Sequence, residues 1–272
     1  MFHYRDQLNR LVELKKSPSR IVSLVPSQTE LLYSLGLDAE VIGITKFCEQ
    51  PPEWFRTKLK VGGTKNLDLA KISALRPDLV IASKEENVKE QVEELAQNFP
   101  VWISDVSTYA QALEMIESVG AITDRTAAAS ELIHNIQLCF DHLRASLGAG
   151  GPASTRSPRI AYLIWKDPFM AAGGDTFIGD MLRLAGFVNI FEQKTRYPIV
   201  SIEELREANC ELIFLSSEPY PFAQKHIPAF SDHLPATKVM LVDGMLFSWY
   251  GSRLEKAPGY FIELHRQINL NN

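Results

Sequence analysis

The segments LDLAKISALRPDLVIAS (Leu67–Ser83) and VSIEELREANCELIFLS (Val200–Ser216) share one apolar pattern at an offset of 133 residues. Apolar columns at helical spacing come first in both segments, and a continuous apolar run closes each of them. This order predicts a helix that leads into a buried strand. Because the unit occurs once in each half of the chain, we expect two related α/β halves.

Strand and helix patterns also alternate outward from the repeat in both halves. The strongest strand patterns are Arg20–Leu24, Val41–Ile44, Leu79–Ala82, Val101–Ile103, Ile160–Trp165, Leu212–Leu215 and Val239–Val242. Ser27, with Glu30 three residues later, predicts a capping box that opens a helix over Thr29–Leu35. Such alternation predicts parallel sheets with right-handed crossovers, and the fold class is therefore α/β.

A long amphipathic segment without Gly or Pro, Asp124–Leu147, lies near the middle of the chain. At 1.5 Å per residue it predicts one helix of roughly 36 Å. The Gly/Ser/Pro-rich stretch Gly148–Pro158 after it predicts a loop. We therefore expect an N-terminal lobe over 1–123, a connecting helix over 124–147 and a C-terminal lobe over 148–272.

The composition argues against several classes of partner. The chain has 28 Lys and Arg residues against 33 Asp and Glu residues, which gives a net charge of -5. The sequence contains no stripe of basic residues that could bind the phosphate backbone of a nucleic acid. No apolar run approaches the roughly 20 residues of a membrane span. Met1–Lys16 lacks the apolar core of a secretory signal, so a periplasmic or cell-surface location and a cytoplasmic one both remain open.

Cysteine and histidine spacing predicts no metal site built by the protein. Cys48, Cys139 and Cys210 form no CxxC pair, and none of the six histidines belongs to an HExxH motif. We therefore expect no intrinsic cofactor, and any metal should arrive inside a bound ligand.

Four motifs in consistent order carry a family resemblance. They are RIVSLVPSQTELLYSLGL (Arg20–Leu37), VIGIT (Val41–Thr45), NLDLAKISALRPDLVIAS (Asn66–Ser83) and YPIVSIEELREA (Tyr197–Ala208). Together they resemble the helical-backbone substrate-binding proteins of ABC importers for cobalamin and ferric siderophores. The resemblance implies two Rossmann-like lobes joined by one rigid helix, with a ligand cleft between them, and makes DQLNRLVEL (Asp6–Leu14) an N-terminal hairpin.

The same resemblance implies docking to ABC permease subunits through one glutamate on each lobe. The motif places the C-lobe glutamate at Glu203, whereas Ala70 stands at the N-lobe position. Asp68 is the nearest substitute, although two residues along a helix turn a side chain by about 200°. Thr64 stands where cobalamin-specific members carry a tryptophan, which favours another chelate.

The candidate ligand residues are those in loops after the predicted strands, where α/β sheets bind ligands. The first half offers Phe47, Lys65, Glu85 and Glu86, and the second offers Trp165, Tyr220, Trp249, Tyr250 and Arg253. Aromatic faces suit a flat chelate, and charged groups suit its polar rim. The FSWYGSRL segment, Phe247–Leu254, is expected to be a loop without helix or strand.

The expected function is ligand binding by a monomeric component of an ABC importer for a metal chelate, such as a ferric siderophore, haem-like or corrinoid compound. A cytoplasmic chelate receptor or carrier that meets no transporter is one alternative. A weaker alternative is an α/β enzyme that uses Cys48, which lies beside Lys46. GxGxxG, GxxxxGK[ST] and GxSxG motifs are absent, and this favours binding over catalysis.

Overall fold

A computed structural model describes residues 1–148 and 157–269, so most of the predicted Gly148–Pro158 loop lies outside the described residues. The chain divides into two compact units. The first unit contains Met1–Val106, Ala110–Ile136 and Tyr250–Arg253, and the second contains Ser107–Tyr109, Gln137–Trp249 and Leu254–Asn272. The predicted lobe boundaries at 124 and 148 stay a prediction.

The first unit is built on a parallel sheet and an N-terminal hairpin. Its elements are β1 (Phe2–Arg5), β2 (Leu11–Leu14), β3 (Ile21–Ser23), α1 (Pro26–Ser34), β4 (Val41–Ile44), α2 (Pro52–Thr57), β5 (Leu59–Lys60), α3 (Leu69–Leu75), β6 (Leu79–Ser83), α4 (Lys89–Ala96), β7 (Val101–Ser104) and α5 (Tyr109–Ile122). β1 and β2 pair antiparallel in an N-terminal hairpin that begins at Phe2, earlier than the predicted Asp6–Leu14 segment. The other five strands pair parallel in the order β5-β4-β3-β6-β7.

The strands of this sheet are apolar runs because helices cover both faces of a parallel sheet. All five residues of β6 are buried, and so are all four of β7. Val22, Val80 and Ile103 belong to one core cluster with Ile72 of α3 and Leu95 of α4. The helix-strand alternation of the sequence therefore appears as predicted.

Helix α1 begins earlier than the predicted capping box requires. The helix starts at Pro26, its N-cap residue is Val25, and no side chain caps it. Proline favours the first helical position because its fixed φ suits a helix and it has no N–H to satisfy. The prediction of a Ser27–Glu30 capping box is therefore wrong, and Glu30 instead pairs with Arg253.

The predicted long helix is α6 (Thr126–Gly148), which is 23 residues long and has residues in both units. Asp124 lies in the left-handed region at φ 57° and separates α6 from α5. A Cβ on Gly120 of α5 would overlap the Cβ of Ala129, so this close approach requires a glycine.

The second unit holds the other sheet. Its elements are β8 (Arg159–Trp165), β9 (Met170–Ala171), α7 (Phe177–Leu184), β10 (Val188–Asn189), α8 (Ile202–Glu207), β11 (Leu212–Ser216), α9 (Pro228–Ser231), β12 (Lys238–Val242), α10 (Met245–Ser248) and α11 (Ala257–Asn269). Strands β10-β8-β11-β12 are parallel neighbours, and β9 pairs antiparallel with β8. The predicted loop Phe247–Leu254 is partly helical, because α10 and a 3-10 turn at Ser252–Glu255 enter it.

The 133-residue repeat is reproduced in three dimensions. Asp68 caps α3 by accepting from the Lys71 N–H, and Ser201 caps α8 by accepting from the Glu204 N–H. Strands β6 and β11 begin and end at positions separated by the same offset. The two halves therefore share one local design of helix cap, short helix and buried strand.

Candidate functional site

Each sheet has a point where the strand order reverses, and ligands of open α/β sheets bind beside this point at the carboxyl ends of the strands. In the first unit the chain runs from β3 through β4 to β5, and later adds β6 and β7 on the other side of β3. In the second unit β10 and β11 flank β8 in the same manner. The switch points therefore lie between β3 and β6 and between β8 and β11.

In the first unit the loops that follow the strands are bonded to one another. The Lys65 ammonium donates to the Glu85 carbonyl oxygen at 2.7 Å, and the Asn87 side-chain amide donates to the carbonyl oxygens of Thr64 and Leu24. Lys65 and the Glu85–Glu86 loop therefore lie together at the carboxyl edge of the sheet. Their contact with a ligand stays a prediction.

Phe47 belongs to the same group of loops and keeps an exposed ring. Half of its surface is accessible, and its ring packs close to Gly63, where a Cβ would lie 3.0 Å from Phe47 Cε2. The Lys46 ammonium lies 5.1 Å from the ring centroid. The pair offers an aromatic surface with a positive charge beside it.

Tyr250 is placed in the interior of the first unit. Its hydroxyl donates to Ser83 Oγ at 3.0 Å and lies 3.4 Å from Glu86 Oε1. Burial, followed by the Glu86 carboxylate, raises the pKa of this phenol well above its usual value. Tyr250 is a neutral hydrogen-bonding group that holds its segment to β6.

Arg253 forms a two-pronged ion pair with Glu30 of α1. Arg253 Nε lies 2.9 Å from Glu30 Oε2, and Arg253 Nη2 lies 2.6 Å from Glu30 Oε1. An ion pair with two parallel hydrogen bonds fixes the relative orientation of the two side chains as well as pairing their charges. Both side chains are largely buried, so this contact fastens the segment around Gly251 to α1.

In the second unit the switch point carries an aromatic surface. Trp165 is the last residue of β8 and is 42% exposed, which is high for so large an apolar side chain. Tyr220 lies in the loop after β11, with its ring centroid 5.7 Å from that of Trp165 at 70°. The Tyr220 hydroxyl lies 3.3 Å from His226 Nε2. The structure thus brings together two residues that the sequence placed 55 positions apart.

Trp249 is held by Glu218, a residue that the sequence analysis did not single out. The Trp249 indole N–H donates to Glu218 Oε1 at 2.8 Å, and the Ser248 hydroxyl donates to the same oxygen at 2.6 Å. Glu218 lies in the loop after β11, two residues before Tyr220. A single carboxylate in a loop has no sequence signature, so its partners appear only in the fold.

Cys48 is unsuited to nucleophilic catalysis. The thiol is fully buried and lies 3.1 Å from both Thr29 Oγ1 and Thr45 Oγ1. Burial raises its pKa to about 11, and the thiolate that attacks substrates is therefore scarce at neutral pH. The structure therefore does not favour the enzyme alternative built on Cys48, because burial keeps the thiol protonated.

The two candidate docking carboxylates differ in their surroundings. Glu203 is exposed in the first turn of α8, whereas Asp68 caps α3 and pairs with Lys71 at 3.2 Å. Backbone and side-chain hydrogen bonds from Lys71 lower the pKa of Asp68. Ala70, two residues later in the first turn of α3, is exposed. The docking roles stay predictions.

In residues 1–148 and 157–269, no group of three His, Cys, Asp or Glu side chains is arranged to hold a metal ion. His226 Nδ1 accepts from the Ala223 N–H at 2.9 Å, and its other ring nitrogen is bonded to Tyr220. Within these same ranges, no helix is long and apolar enough to span a bilayer.

Comparison with known proteins identifies the family. The family model described as periplasmic binding protein matches residues 21–239. The chain is 26% identical over 199 residues to a vitamin B12-binding protein of Vibrio cholerae, with 72% of this chain and 70% of that protein covered.

Two solved structures share the fold. The apo periplasmic heme-binding protein of Roseiflexus sp. RS-1 superposes with a TM-score of 0.79 at 20% identity, covering 92% of this chain and 98% of that one. The molybdate periplasmic binding protein of Haemophilus influenzae superposes with a TM-score of 0.80 at 17% identity, covering 100% of this chain and 92% of that one. The predicted resemblance is confirmed: the chain belongs to the periplasmic binding protein family, whose members bind substrates and are not enzymes.

Proposed function

We propose that the protein is the ligand-binding component of an ABC-type importer and that its ligand is a metal chelate, such as a ferric siderophore, haem-like or corrinoid compound. The names of its relatives include binding proteins for vitamin B12 and heme, which are both large, flat metal macrocycles. In this role the chelate is cargo, so the protein needs no cofactor of its own.

The aromatic surface at the β8–β11 switch point is the observation that carries this proposal. Trp165 is 42% exposed and lies at the carboxyl end of β8, beside the switch point where ligands of α/β sheets bind. The Trp165 ring, with Tyr220 against it, offers a planar face for stacking a conjugated ring. Lys166, the next residue in the chain, forms an ion pair with Asp167 at 2.6 Å.

The first unit supplies groups of another kind. Lys65, Glu85 and Glu86 lie at the carboxyl edge of its sheet, with the exposed ring of Phe47 in the neighbouring loop. Carboxylates and ammonium groups suit the amide, hydroxyl or carboxylate substituents at the rim of a chelate. We propose that these four residues take part in ligand binding.

The proposal extends to location and partners. A component of an importer works in the periplasm or at the cell surface as a monomer, and delivers its ligand to permease subunits. Glu203 on α8 is the proposed docking carboxylate, because it is exposed at the start of a helix. Asp68 should contribute less to docking, because its carboxylate already accepts a hydrogen bond from the Lys71 N–H and pairs with the Lys71 ammonium.

Purification without denaturation, followed by mass spectrometry and metal analysis, identifies any chelate that accompanies the protein. Cyanocobalamin, haemin and a ferric hydroxamate siderophore are then titrated against the ligand-free protein while tryptophan fluorescence is recorded. We expect one of these compounds to quench the fluorescence saturably. Absence of binding by all three, together with no co-purified chelate, would contradict the proposed ligand class.

Trp165→Ala is the matching variant. Loss of a stacking face in a binding site costs roughly 1–3 kcal/mol, which weakens affinity about 5-fold to 150-fold. Phe55→Ala is the control, because Phe55 is an aromatic residue at 37% exposure on α2, which lies between β4 and β5 in the chain. Equal affinity of the two variants would contradict the role of Trp165.

A further inference from the structure

His226 is a buried histidine whose two ring nitrogens both have hydrogen-bond partners. It ends the 3-10 turn between β11 and α9, and only 8% of its surface is exposed. Its Nδ1 accepts from the Ala223 N–H at 2.9 Å, and its Nε2 lies 3.3 Å from the Tyr220 hydroxyl. The Phe222 ring packs against the imidazole at 5.5 Å between centroids. The imidazole is therefore held in one orientation.

The contact with Ala223 decides which nitrogen of His226 carries the ring proton. A ring nitrogen that accepts from an N–H cannot hold a proton of its own, so the proton is on Nε2. In the part of the chain that the structure describes, the Tyr220 oxygen is the only acceptor within hydrogen-bond distance of Nε2. The Tyr220 oxygen therefore accepts from His226, and donation in the opposite direction is excluded.

The Tyr220 side chain is fixed at the carboxyl end of β8. Its backbone N–H donates to the Ile164 carbonyl oxygen at 3.2 Å, one residue before the end of that strand. Its ring centroid lies 5.7 Å from that of Trp165 and 4.8 Å from that of Phe222. Tyr220 is nevertheless only partly buried, and Trp165 beside it keeps an exposed indole. The ring is thus held in place while one side of the pair faces solvent.

The Tyr220 hydroxyl has a proton for which the protein supplies no acceptor. Across residues 1–148 and 157–269, His226 is its sole hydrogen-bond partner, and that bond uses a lone pair of the oxygen. A phenol has one O–H to donate, and polar groups at the edge of an apolar surface nearly always find a partner. Solvent accepts this bond when no ligand is present, and an acceptor atom on a ligand can replace the solvent.

We infer that Tyr220 binds the ligand as a hydrogen-bond donor and that His226 is the positioning residue that keeps it a donor. The inference rests on the proposed function, because the ligand is the chelate that stacks on Trp165. All three residues belong to the second unit. The matching group is an acceptor at the edge of the chelate, such as an amide or carboxylate oxygen. An edge that carries only donors fits poorly, because the Tyr220 oxygen already accepts from Nε2.

The position of the His226 ring proton can be measured without any ligand. Long-range proton–nitrogen NMR spectra of isotope-labelled protein distinguish the two tautomers of an imidazole. The signals that disappear in His226→Asn assign this residue among the six histidines. We expect the tautomer with the proton on Nε2. A proton on Nδ1 would make Tyr220 the donor to His226 and would overturn the inference, whereas stacking on Trp165 would be unaffected.

Two substitutions of His226 separate the positioning of Tyr220 from support of the loop. In His226→Gln the amide nitrogen lies near the place of Nε2 and can still donate to Tyr220. In His226→Asn the amide oxygen lies near the place of Nδ1 and can still accept from the Ala223 N–H. A residue that only supports the loop would tolerate Asn better than Gln. A residue that positions Tyr220 should show the opposite order.

Affinity is measured by fluorescence titration with whichever of cyanocobalamin, haemin and the ferric hydroxamate siderophore binds the wild type. Tyr220→Phe keeps the ring and removes one hydrogen bond, so it should weaken affinity about 3-fold to 10-fold. His226→Asn should weaken affinity by a similar factor, and His226→Gln should stay within about 2-fold of the wild type. The controls are Tyr4→Phe on β1 and His233→Asn, an exposed histidine after α9, and both should leave affinity unchanged.

The same titrations separate this inference from the proposed function. Wild-type affinity in Tyr220→Phe, or equal affinity of His226→Asn and His226→Gln, would overturn the inference. If Trp165→Ala still weakens binding in that case, the proposed function stands. If none of the three chelates binds and none co-purifies, the proposed function fails, and the tautomer spectrum by itself decides whether His226 makes Tyr220 a donor.

Discussion

Arg253 and Glu30 meet in a two-pronged ion pair at 2.6 and 2.9 Å although 223 residues separate them in the chain. The contact fixes the Tyr250–Arg253 segment to α1. Removing the charge of Glu30 leaves a largely buried guanidinium without its counter-ion, so Glu30→Gln should lower the free energy of unfolding by about 3 kcal/mol. Urea denaturation followed by circular dichroism measures this loss.

The control for that change is Glu94→Gln, because Glu94 is an exposed carboxylate on α4. It should change stability by no more than about 0.5 kcal/mol. Equal stability of the two variants would mean that the ion pair contributes nothing to the fold.

Asp68 tests whether a carboxylate or a cap is needed at the start of α3. Asp68→Ala removes the acceptor of the Lys71 N–H and should cost about 1 kcal/mol of folding free energy. Asp68→Asn keeps a good capping side chain without the charge, so its stability should lie within a few tenths of a kcal/mol of the wild type. If Asp68→Asn is as unstable as Asp68→Ala, the ion pair with Lys71 rather than the cap is responsible.

Cys48 should be inert in the folded protein. Its buried thiol, with the pKa raised to about 11 by burial, should resist alkylation by iodoacetamide at pH 8 and react fully in denaturant. Cys139 is only partly buried and serves as an internal reference. Peptide mass spectrometry measures both rates, and alkylation of Cys48 in the native protein as fast as that of Cys139 would contradict the assignment.

The lowered pKa of His265 predicts how the stability of the protein changes with pH. Burial lowers the pKa of His265 below 6.5, and its Nε2 lies 2.6 Å from the Ala185 carbonyl oxygen at the end of α7. Because the pKa of His265 is lower in the native protein, the unfolded chain binds the proton more readily below pH 6.5. The contribution of neutral, buried His265 to the free energy of unfolding is therefore complete above pH 6.5 and is lost as the pH falls.

The matching variant is His265→Gln, which keeps a hydrogen-bond donor that does not titrate. Thermal midpoints of both proteins at pH 7.5 and pH 5.5 measure the effect. The wild type should lose more stability over this interval than the variant. An equal loss in both would show that other groups cause the pH dependence.

The repeated helix-strand unit was predictable from sequence almost to the residue. Buried strands such as Leu79–Ser83 and Leu212–Ser216 are continuous apolar runs, and turn or capping residues bound the helices before them. The start of α1 was not predictable in this way, because Pro26 and the Ser27–Glu30 pattern both signal a helix start and only the fold shows that Glu30 is taken by Arg253. The helix α5, Tyr109–Ile122, was not predicted from the sequence.

The candidate site was predictable only as a set of loops. Sequence placed Trp165, Tyr220, Trp249, Tyr250 and Arg253 after strands, but exposure depends on what packs over each side chain. Trp165 keeps an open face, whereas Tyr250 donates to Ser83 and Arg253 pairs with Glu30.

A crystal structure of the protein loaded with its co-purified chelate tests the central claim most directly. The account predicts that the ring system of the chelate lies against the exposed Trp165 indole, at the carboxyl ends of β8 and β11. A chelate bound elsewhere, with the Trp165 face still in water, would contradict it.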